Sequence, residues 1–540
     1  MIEQCRSGMD HSGIFLAFAL VGAVAFVGAI AKRFNISSVI AFVIAGVAIG
    51  LVPIVPVVHI EPEIVLMLLL PPLLYSAGVG MSWRGLKYNI GTISFLAIGG
   101  VIFTALGVAY VLNTLFGIDW LIGLLLGAII APPDAVAPMA IVKRLVVPDR
   151  LVTIIEGEGL VNDATALILI GFTVSALQGG DLSLLSAAGR FTLIVVGEIA
   201  WGMAVGRLLL ELRKLARDPH VEIILSLMTP FLAFWVPQAI GGSGVLAAVA
   251  AGVYVSWNGP RYIAPATRLQ GYFAWDLVTY VIEAVAFFLT GLQVRTIIES
   301  ADMGIWTHYL AVAVTTGLIV IVLRFLWVFA GTFLPKLAAR RFGFGPTLRW
   351  RYAAVISVTG VRGVVSLLAA LSIPDLIASD GSNAKPMLLV VTLCVIIASM
   401  IGVDAVLPSI VRRLGLANEG AAEASEKRSR EIQARLDAVQ KVLSELETFN
   451  EGTWTAESLA ELRRKHEDRH ILYKRIQHNR EEGRANSDYP EIQLRLIEVE
   501  RQEIASLYAE QRLDDEARRR IERELDLEDT RLRHIIQGST

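Results

Sequence analysis

Ile155-Glu156-Gly157-Glu158-Gly159-Leu160-Val161-Asn162-Asp163-Ala164-Thr165-Ala166-Leu167-Ile168 lies within an apolar segment, Leu151 to Leu177, that is long enough to cross a membrane. It places three carboxylates, Glu156, Glu158 and Asp163, inside that segment. A charge at the bilayer centre costs about 2.5–3.5 kcal/mol on insertion scales. Three acids in one span therefore require partners, protons or ions, and that requirement points to transport.

Helical geometry sorts the acids. Glu156 and Asp163 are seven residues apart and share a face; Glu158 and Asn162 are four apart and share another. Asp163 sits about 100° round the helix from Asn162. Gly157 and Gly159 are small enough for a second backbone to approach. A carboxylate near the span centre suits alternate occupation by a proton and a hard cation, and hard cations take oxygen ligands. The competing reading is a structural ion-pair cluster, which accounts for one or two of the acids more readily than for three.

Outward from this segment the chain divides in two. Of its 540 residues 54% are hydrophobic, with a mean hydropathy of +0.59. Residues 1–415 carry thirteen apolar stretches, near 13–31, 36–53, 61–80, 90–112, 119–141, 151–176, 185–208, 219–237, 241–257, 275–293, 308–334, 352–373 and 386–411. Residues 416–540 hold none and are dense in Glu, Arg, Asp and Lys. The expectation is a polytopic membrane domain followed by a soluble tail. Lys32 and Arg33, not a cleavage pattern, follow the first stretch, so it reads as a retained span.

Lys and Arg gather in alternate short loops: Lys32/Arg33, Arg84/Lys87, Lys143/Arg144/Arg150, Arg207/Arg213/Lys214/Arg217, Arg261/Arg268, Lys336/Arg340/Arg341/Arg349/Arg351 and Arg412/Arg413. The opposite loops hold little beyond Arg295 and Lys385. This bias orients a multi-pass protein of the plasma (inner) membrane with its N-terminus outside and its tail in the cytoplasm. A net charge of −2 gives no footprint for nucleic acid. Cys5 and Cys394, far apart, support neither a disulfide framework nor a cysteine-rich metal site.

The fifth stretch contains Ala131-Pro132-Pro133-Asp134-Ala135-Val136-Ala137-Pro138. Proline lacks an amide proton and clashes with the preceding turn, so the helix should break around Asp134. Broken backbone at membrane depth is tolerated where it is buried in protein or lines a cavity, and such breaks form the binding elements of secondary transporters. A proline kink with a capping Asp is the plainer alternative. Asn162, Thr165, Ser76 and the carbonyls near Ala131–Pro133 are candidate further ligands. Buried acids need buried bases, and the chain offers Arg324 in the eleventh stretch and Arg362, between Gly360 and Gly363, in the twelfth. One guanidinium should neutralise Glu158 or Glu156 and leave Asp163 free to titrate. Glu198 and Glu283 also lie in apolar stretches and are left outside the expected site.

These residues resemble the monovalent cation/proton antiporters of the sodium/proton exchanger, NhaP-like type. Glu158-Gly159-Leu160-Val161-Asn162-Asp163-Ala164 is similar to that family's Glu-x-Leu-x-Asn-Asp signature. Pro71-Pro72-Leu73-Leu74-Tyr75-Ser76-Ala77-Gly78, the break around Asp134, Arg324-Phe325-Leu326-Trp327 and Gly360-Val361-Arg362-Gly363-Val364-Val365-Ser366 agree with it in order and spacing. The resemblance covers most of residues 10–415. It implies an all-α membrane protein with inverted repeats and crossed, interrupted helices, working as a homodimer. It implies exchange of Na+, or of Li+ or K+, for H+ in pH and sodium homeostasis, with no cofactor. Asp163 would carry the cation or proton, Asn162 support it, Asp134 lie beside it and Glu158 join an arginine bridge. An Asn-Asp pair in place of two aspartates implies electroneutral exchange. Where some family members carry an acidic ligand in the Pro-Pro motif, this chain has Tyr75 and Ser76.

In the tail, Ile432, Leu436, Val439, Leu443 and Leu446 recur at three- and four-residue steps, the pattern of an amphipathic helix. Segments 455–482, 489–512 and 514–535 also read as helices, with breaks at Gly483, Asn486 and Pro490. Helical hairpins with a regulatory or assembly role, open to a cytoplasmic regulator, are expected. His466 and His470 share a helix face without companion ligands and read as solvated. A membrane sensor signalling through its tail is the alternative from another class; the intact Asn162-Asp163 pair argues against it. No nucleotide loop or nucleophile–base pair suggests an enzyme.

Overall fold

The computed structural model describes residues 11–34, 37–52, 62–179, 184–216, 218–300, 306–342, 348–374, 383–449, 455–481, 489–510 and 512–539. Cys5, Arg217, Gly483 and Asn486 lie outside them, as do the side chains of Lys336, Arg340 and Arg341. The chain divides into two compact units, residues 1–417 and 418–540.

The first unit is helical. In order it contains α1 (His11–Arg33), α2 (Ser38–Gly50), α3 (Pro62–Gly80), α4 (Trp83–Ser94), α5 (Gly100–Phe116), α6 (Trp120–Ile130), α7 (Val136–Leu145), α8 (Asp149–Leu177), α9 (Leu184–Ala216) and α10 (Pro219–Ala239). It continues through α11 (Val245–Asn258), α12 (Pro265–Ser300), α13 (Trp306–Phe342), α14 (Trp350–Val358), α15 (Val364–Ser372) and α16 (Lys385–Arg413). Each apolar stretch anticipated from sequence carries a helix or a broken pair of helices. Among the described residues seven helices are individually long and apolar enough to cross a membrane.

Three stretches depart from a simple rod. The fourth passes through a π-helical turn, Phe95–Gly99, between α4 and α5; the Phe95 carbonyl there accepts from Trp327 Nε1 at 3.0 Å. The fifth is split into α6 and α7 by its prolines. The twelfth is split into α14 and α15 around Gly360 and Gly363. Elsewhere helices run past their expected ends, α12 and α13 most of all.

Helices in lipid gain nothing from apolar surface alone and associate where small residues admit close contact. Gly46 on α2 packs against Gly291 on α12, where an added methyl on Gly46 would lie 3.0 Å from the Gly291 Cα. Gly78 on α3 packs likewise against the Val249–Gly252 stretch of α11. Large apolar side chains such as Phe26, Leu193, Ile240 and Leu318 face outward, whereas Glu158, Asn162, Arg324 and Arg362 are buried. That inversion suits a body surrounded by hydrocarbon.

The second unit holds most of α17 (Leu416–Leu446), with α18 (Ala456–Glu481), α19 (Tyr489–Ala509) and α20 (Asp515–Ser539). Leu436 and Val439 of α17 pack with Tyr473 of α18. Ile497 of α19 packs with Leu525 and Leu532 of α20. These are two helical hairpins. Arg435 lies over the Tyr473 ring, 5.8 Å from its centroid.

Candidate functional site

The two broken helices meet at their breaks. The amide of Asp134, between α6 and α7, donates to the carbonyl of Val361, between α14 and α15, at 2.7 Å. The Asp134 carboxylate accepts from the amide of Val136, the first residue of α7, at 3.0 Å. Gly363 lies against it: a methyl there would come within 2.6 Å of the Asp134 carboxyl.

The opposite helix ends converge on Arg362, which is buried. Its Nε donates to the carbonyl of Ile130 at 2.6 Å, and its terminal nitrogens to the carbonyls of Ala131 at 3.3 Å and of Gly360. The last carbonyls of a helix have no intrahelical donor and carry partial negative charge. Arg362 takes two carbonyls at the end of α6 and one within the α14–α15 break, and pairs with no carboxylate among the described residues. The sequence offered it as an acid's partner; in the fold its nitrogens bond backbone carbonyls, and Glu158 acts on it only through charge, because Arg324 holds that carboxylate.

The acid bridge belongs to Arg324. Its two terminal nitrogens grip Glu158 at 2.7 and 3.1 Å, while Nε and one terminal nitrogen reach the carbonyl of Ile356 at 3.1 and 2.8 Å. Both side chains are buried, so each supplies the counter-charge the other needs. Glu156 does not share this bridge. It lies 3.7 Å from Lys143, with 28% of its side chain exposed and 69% of the lysine's. Two residues from Glu158 is about 200° round the helix, which turns the two glutamates to different surroundings. A cavity of about 10 Å³ borders Glu158, Arg324, Arg362 and Thr104, room for about one water molecule.

Asn162 is fully buried. Its amide donates to the Pro133 carbonyl at 2.7 Å, one of those freed at the α6–α7 break. Its Oδ1 and one oxygen of Asp134 have no hydrogen-bond partner among the described residues. Asp163, the next residue on α8, forms no hydrogen bond or ion pair with the described residues, and its charge interacts with that of Asp134. Thr165 donates to the Val161 carbonyl at 3.1 Å within α8, which occupies its proton and leaves its oxygen as an acceptor. Ser76 sits half-buried on α3, a helix that touches α8 and α15. Tyr75 is buried and turned toward α10 and α12, its ring 5.1 Å from that of Trp275.

Two further acids acquire a place only in three dimensions. Glu198 on α9 accepts from the amides of Ser243, Gly244 and Leu246 at 2.5, 2.9 and 3.1 Å, anchoring the start of α11. Gly244 has φ +71°, a conformation that favours glycine. Glu283 on α12 interacts electrostatically with Asp134 and Lys143. No local sequence pattern marks either role.

Thus one buried acid is neutralised by arginine, while among the described residues one oxygen of Asp134, at the joined breaks, and the carboxylate of Asp163, on α8, have no hydrogen-bond partner. Residues 21–412 match the family described as sodium/hydrogen exchanger, transmembrane. The chain belongs to that family. It is therefore a multi-pass cation/proton antiporter, a transporter and not an enzyme. It is 31% identical to an uncharacterized Na(+)/H(+) exchanger of Mycobacterium tuberculosis, over 96% of each chain. It is 27% identical to the Na(+)/H(+) antiporter ApNhaP of Aphanothece halophytica, covering 82% of this chain and 81% of that one. A sodium, potassium, lithium and rubidium/H(+) antiporter of Bacillus pumilus is 29% identical over 73% of this chain and 59% of its own length. Among solved structures, the sodium proton antiporter MjNhaP1 from Methanocaldococcus jannaschii superimposes with a TM-score of 0.58 at 19% identity, covering 74% of this chain and 98% of that one. That likeness concerns the fold.

Proposed function

We propose that this exchanger moves Na+ against H+ by alternating access, with Asp163 carrying either ion in turn. The observation that carries the reading is the unpaired Asp163 carboxylate, set beside Asn162 and Asp134 at the crossed breaks while Arg324 neutralises Glu158. A proton and a cation competing for one carboxylate give exchange without a separate proton path. An empty, charged core is disfavoured in the dry barrier, so movement favours the occupied forms. Asn162 is neutral, which matches one cation for one proton with no net charge moved. The partly occupied Thr165 oxygen, Ser76 and the free oxygens of Asp134 and Asn162 supply further ligands.

K+ is the second candidate cation, alongside Li+, because the Bacillus relative is named for sodium, potassium, lithium and rubidium together. The remaining proposals are a homodimer in membrane lipid, an external N-terminus, a cytoplasmic regulatory or assembly tail, and service in pH and sodium homeostasis. The alternation of basic loops supports the orientation.

The test is purified protein in vesicles with a trapped pH dye, given Na+, K+ or Li+ outside, with and without a voltage clamp. Cation-driven proton efflux that is lost in Asp163→Ala is expected, and indifference to voltage supports one-for-one exchange. Folded protein that moves no protons with any of these cations overturns the proposal and favours the sensor.

A further inference from the structure

One face of α13 interlocks with the bent fourth stretch. Leu323, Trp327 and Gly331 recur every four residues and so share that face. Leu323 seats against Gly107 of α5, and Trp327 against Gly100 and the preceding Gly99. A methyl added to any of these three glycines would meet a side chain of α13. In return, Gly331 receives the Phe95 ring. The register of α13 on this surface is therefore fixed at successive turns, where small residues admit close approach.

Trp327 is the centre of the contact. Its indole stacks on Phe95, with centroids 4.6 Å apart, and on Phe103 at 4.9 Å. Its Nε1 donates to the Phe95 carbonyl at 3.0 Å. Away from water an indole N–H needs such a partner, and the π-helical turn supplies it. Phe95 is exposed, while Phe103 and Trp327 are half-exposed. The stack therefore reaches the outer surface of the membrane domain.

Its inner edge borders charge. Trp327 lines the same cavity of about 10 Å³ as Glu158, Arg324 and Arg362. Arg324 precedes Trp327 by three residues, close to one turn of helix, and is buried. Its guanidinium spans Glu158 and the Ile356 carbonyl, and its stem lies against Gly360. The indole thus stands between hydrocarbon and a buried ion pair. Such a pair holds only while its geometry is kept, and a buried carboxylate that loses its guanidinium takes up a proton instead.

We infer that Trp327 is the positioning residue of the Arg324–Glu158 bridge. Clamped between Phe95 and Phe103, it fixes the register of α13 that brings Arg324 to Glu158, and it closes the shared cavity toward the lipid. Its bearing on transport rests on the antiport reading of this domain; its bearing on the bridge does not.

The experiment uses full-length protein in lipid vesicles and dicyclohexylcarbodiimide, an apolar reagent that enters the bilayer and modifies protonated carboxyls. Mass spectrometry with fragmentation reads the fraction modified at Glu158. Wild type should be modified only slightly there, and Arg324→Ala strongly. Trp327→Ala is expected to raise the modification on the order of tenfold, since each stack and the hydrogen bond contribute a factor of a few. Trp327→Phe keeps the stacking and should remove most of that rise. Phe325→Ala loses a stack with Phe329 on a more exposed side of α13 and should leave Glu158 as in wild type. Exchange Vmax in the same vesicles should fall in the order in which the modification rises.

Unchanged modification in Trp327→Ala overturns the inference. So does an equal rise in Phe325→Ala, which would reduce the role of Trp327 to bulk. Should Trp327→Ala not fold, Trp327→Leu carries the same expectation. A rise in Trp327→Ala, in a protein whose wild type moves no protons, sinks the antiport reading alone; active wild-type exchange with unchanged modification in Trp327→Ala sinks this inference alone.

Discussion

The amide of Asp134 donates to the carbonyl of Val361 at 2.7 Å, and this single backbone bond ties the α6–α7 break to the α14–α15 break. The arrangement sorts helix ends by charge. Asp134 accepts from the Val136 amide at the start of α7, and Arg362 faces carbonyls at the end of α6 and just past the end of α14. Each break thereby satisfies backbone groups that would otherwise be stranded away from water. A neutral Asn162 bonded to Pro133 then fastens α8 to the same place and sets Asp163 beside it.

The closeness of Gly363 to Asp134 makes the crossing intolerant of volume. Gly363→Ala would place a methyl 2.6 Å from the Asp134 carboxyl. The expected result is a loss of exchange Vmax of at least about tenfold, equivalent to about 1.4 kcal/mol, in protein that still reaches the membrane. Dye-loaded vesicles measure it, and wild-type Vmax would remove the argument for a tight crossing.

The Arg324–Glu158 bridge is expected to fail asymmetrically. Arg324→Ala strands a buried carboxylate, and Glu158→Gln strands a buried guanidinium; either should cost about 3–5 kcal/mol. Replacing both with apolar residues should cost less than either alone. Thermal unfolding in detergent of the two single variants and the double variant checks this, and simple additivity would contradict it.

Asn162 donates to Pro133 through its amide nitrogen. In Asn162→Asp that donor becomes a carboxylate oxygen facing a carbonyl oxygen. The expected destabilisation is about 1–3 kcal/mol, the cost of leaving a buried polar group unsatisfied. Asn162→Ala removes the donor without adding charge and should retain more stability. Melting temperatures of the two variants, measured side by side, decide the order.

Much of this was legible in the chain. The prolines around Asp134 announce a broken helix because proline cannot supply an amide, wherever the helix lies. Hydropathy marks the membrane domain because the bilayer demands about twenty apolar residues per crossing. The glycines at 360 and 363 left a second break open without requiring it. The tail's helices follow from three- and four-residue apolar spacing, which is local.

The pairings were not legible, because they join residues far apart in the chain. Sequence offered two arginines and two glutamates for one bridge; the fold gives Glu158 to Arg324, turns Glu156 to Lys143 and assigns Arg362 to backbone carbonyls. It likewise separates Glu198, fixed by three amides, from Glu283, which no donor among the described residues holds. The sequence by itself determined where helices run, where one must break and which acid stands beside an asparagine, since those depend on backbone chemistry and spacing. Only the tertiary structure decided which charge meets which, because electrostatic partners are chosen by distance through space across α7, α8, α12 and α13, and no local pattern encodes that distance.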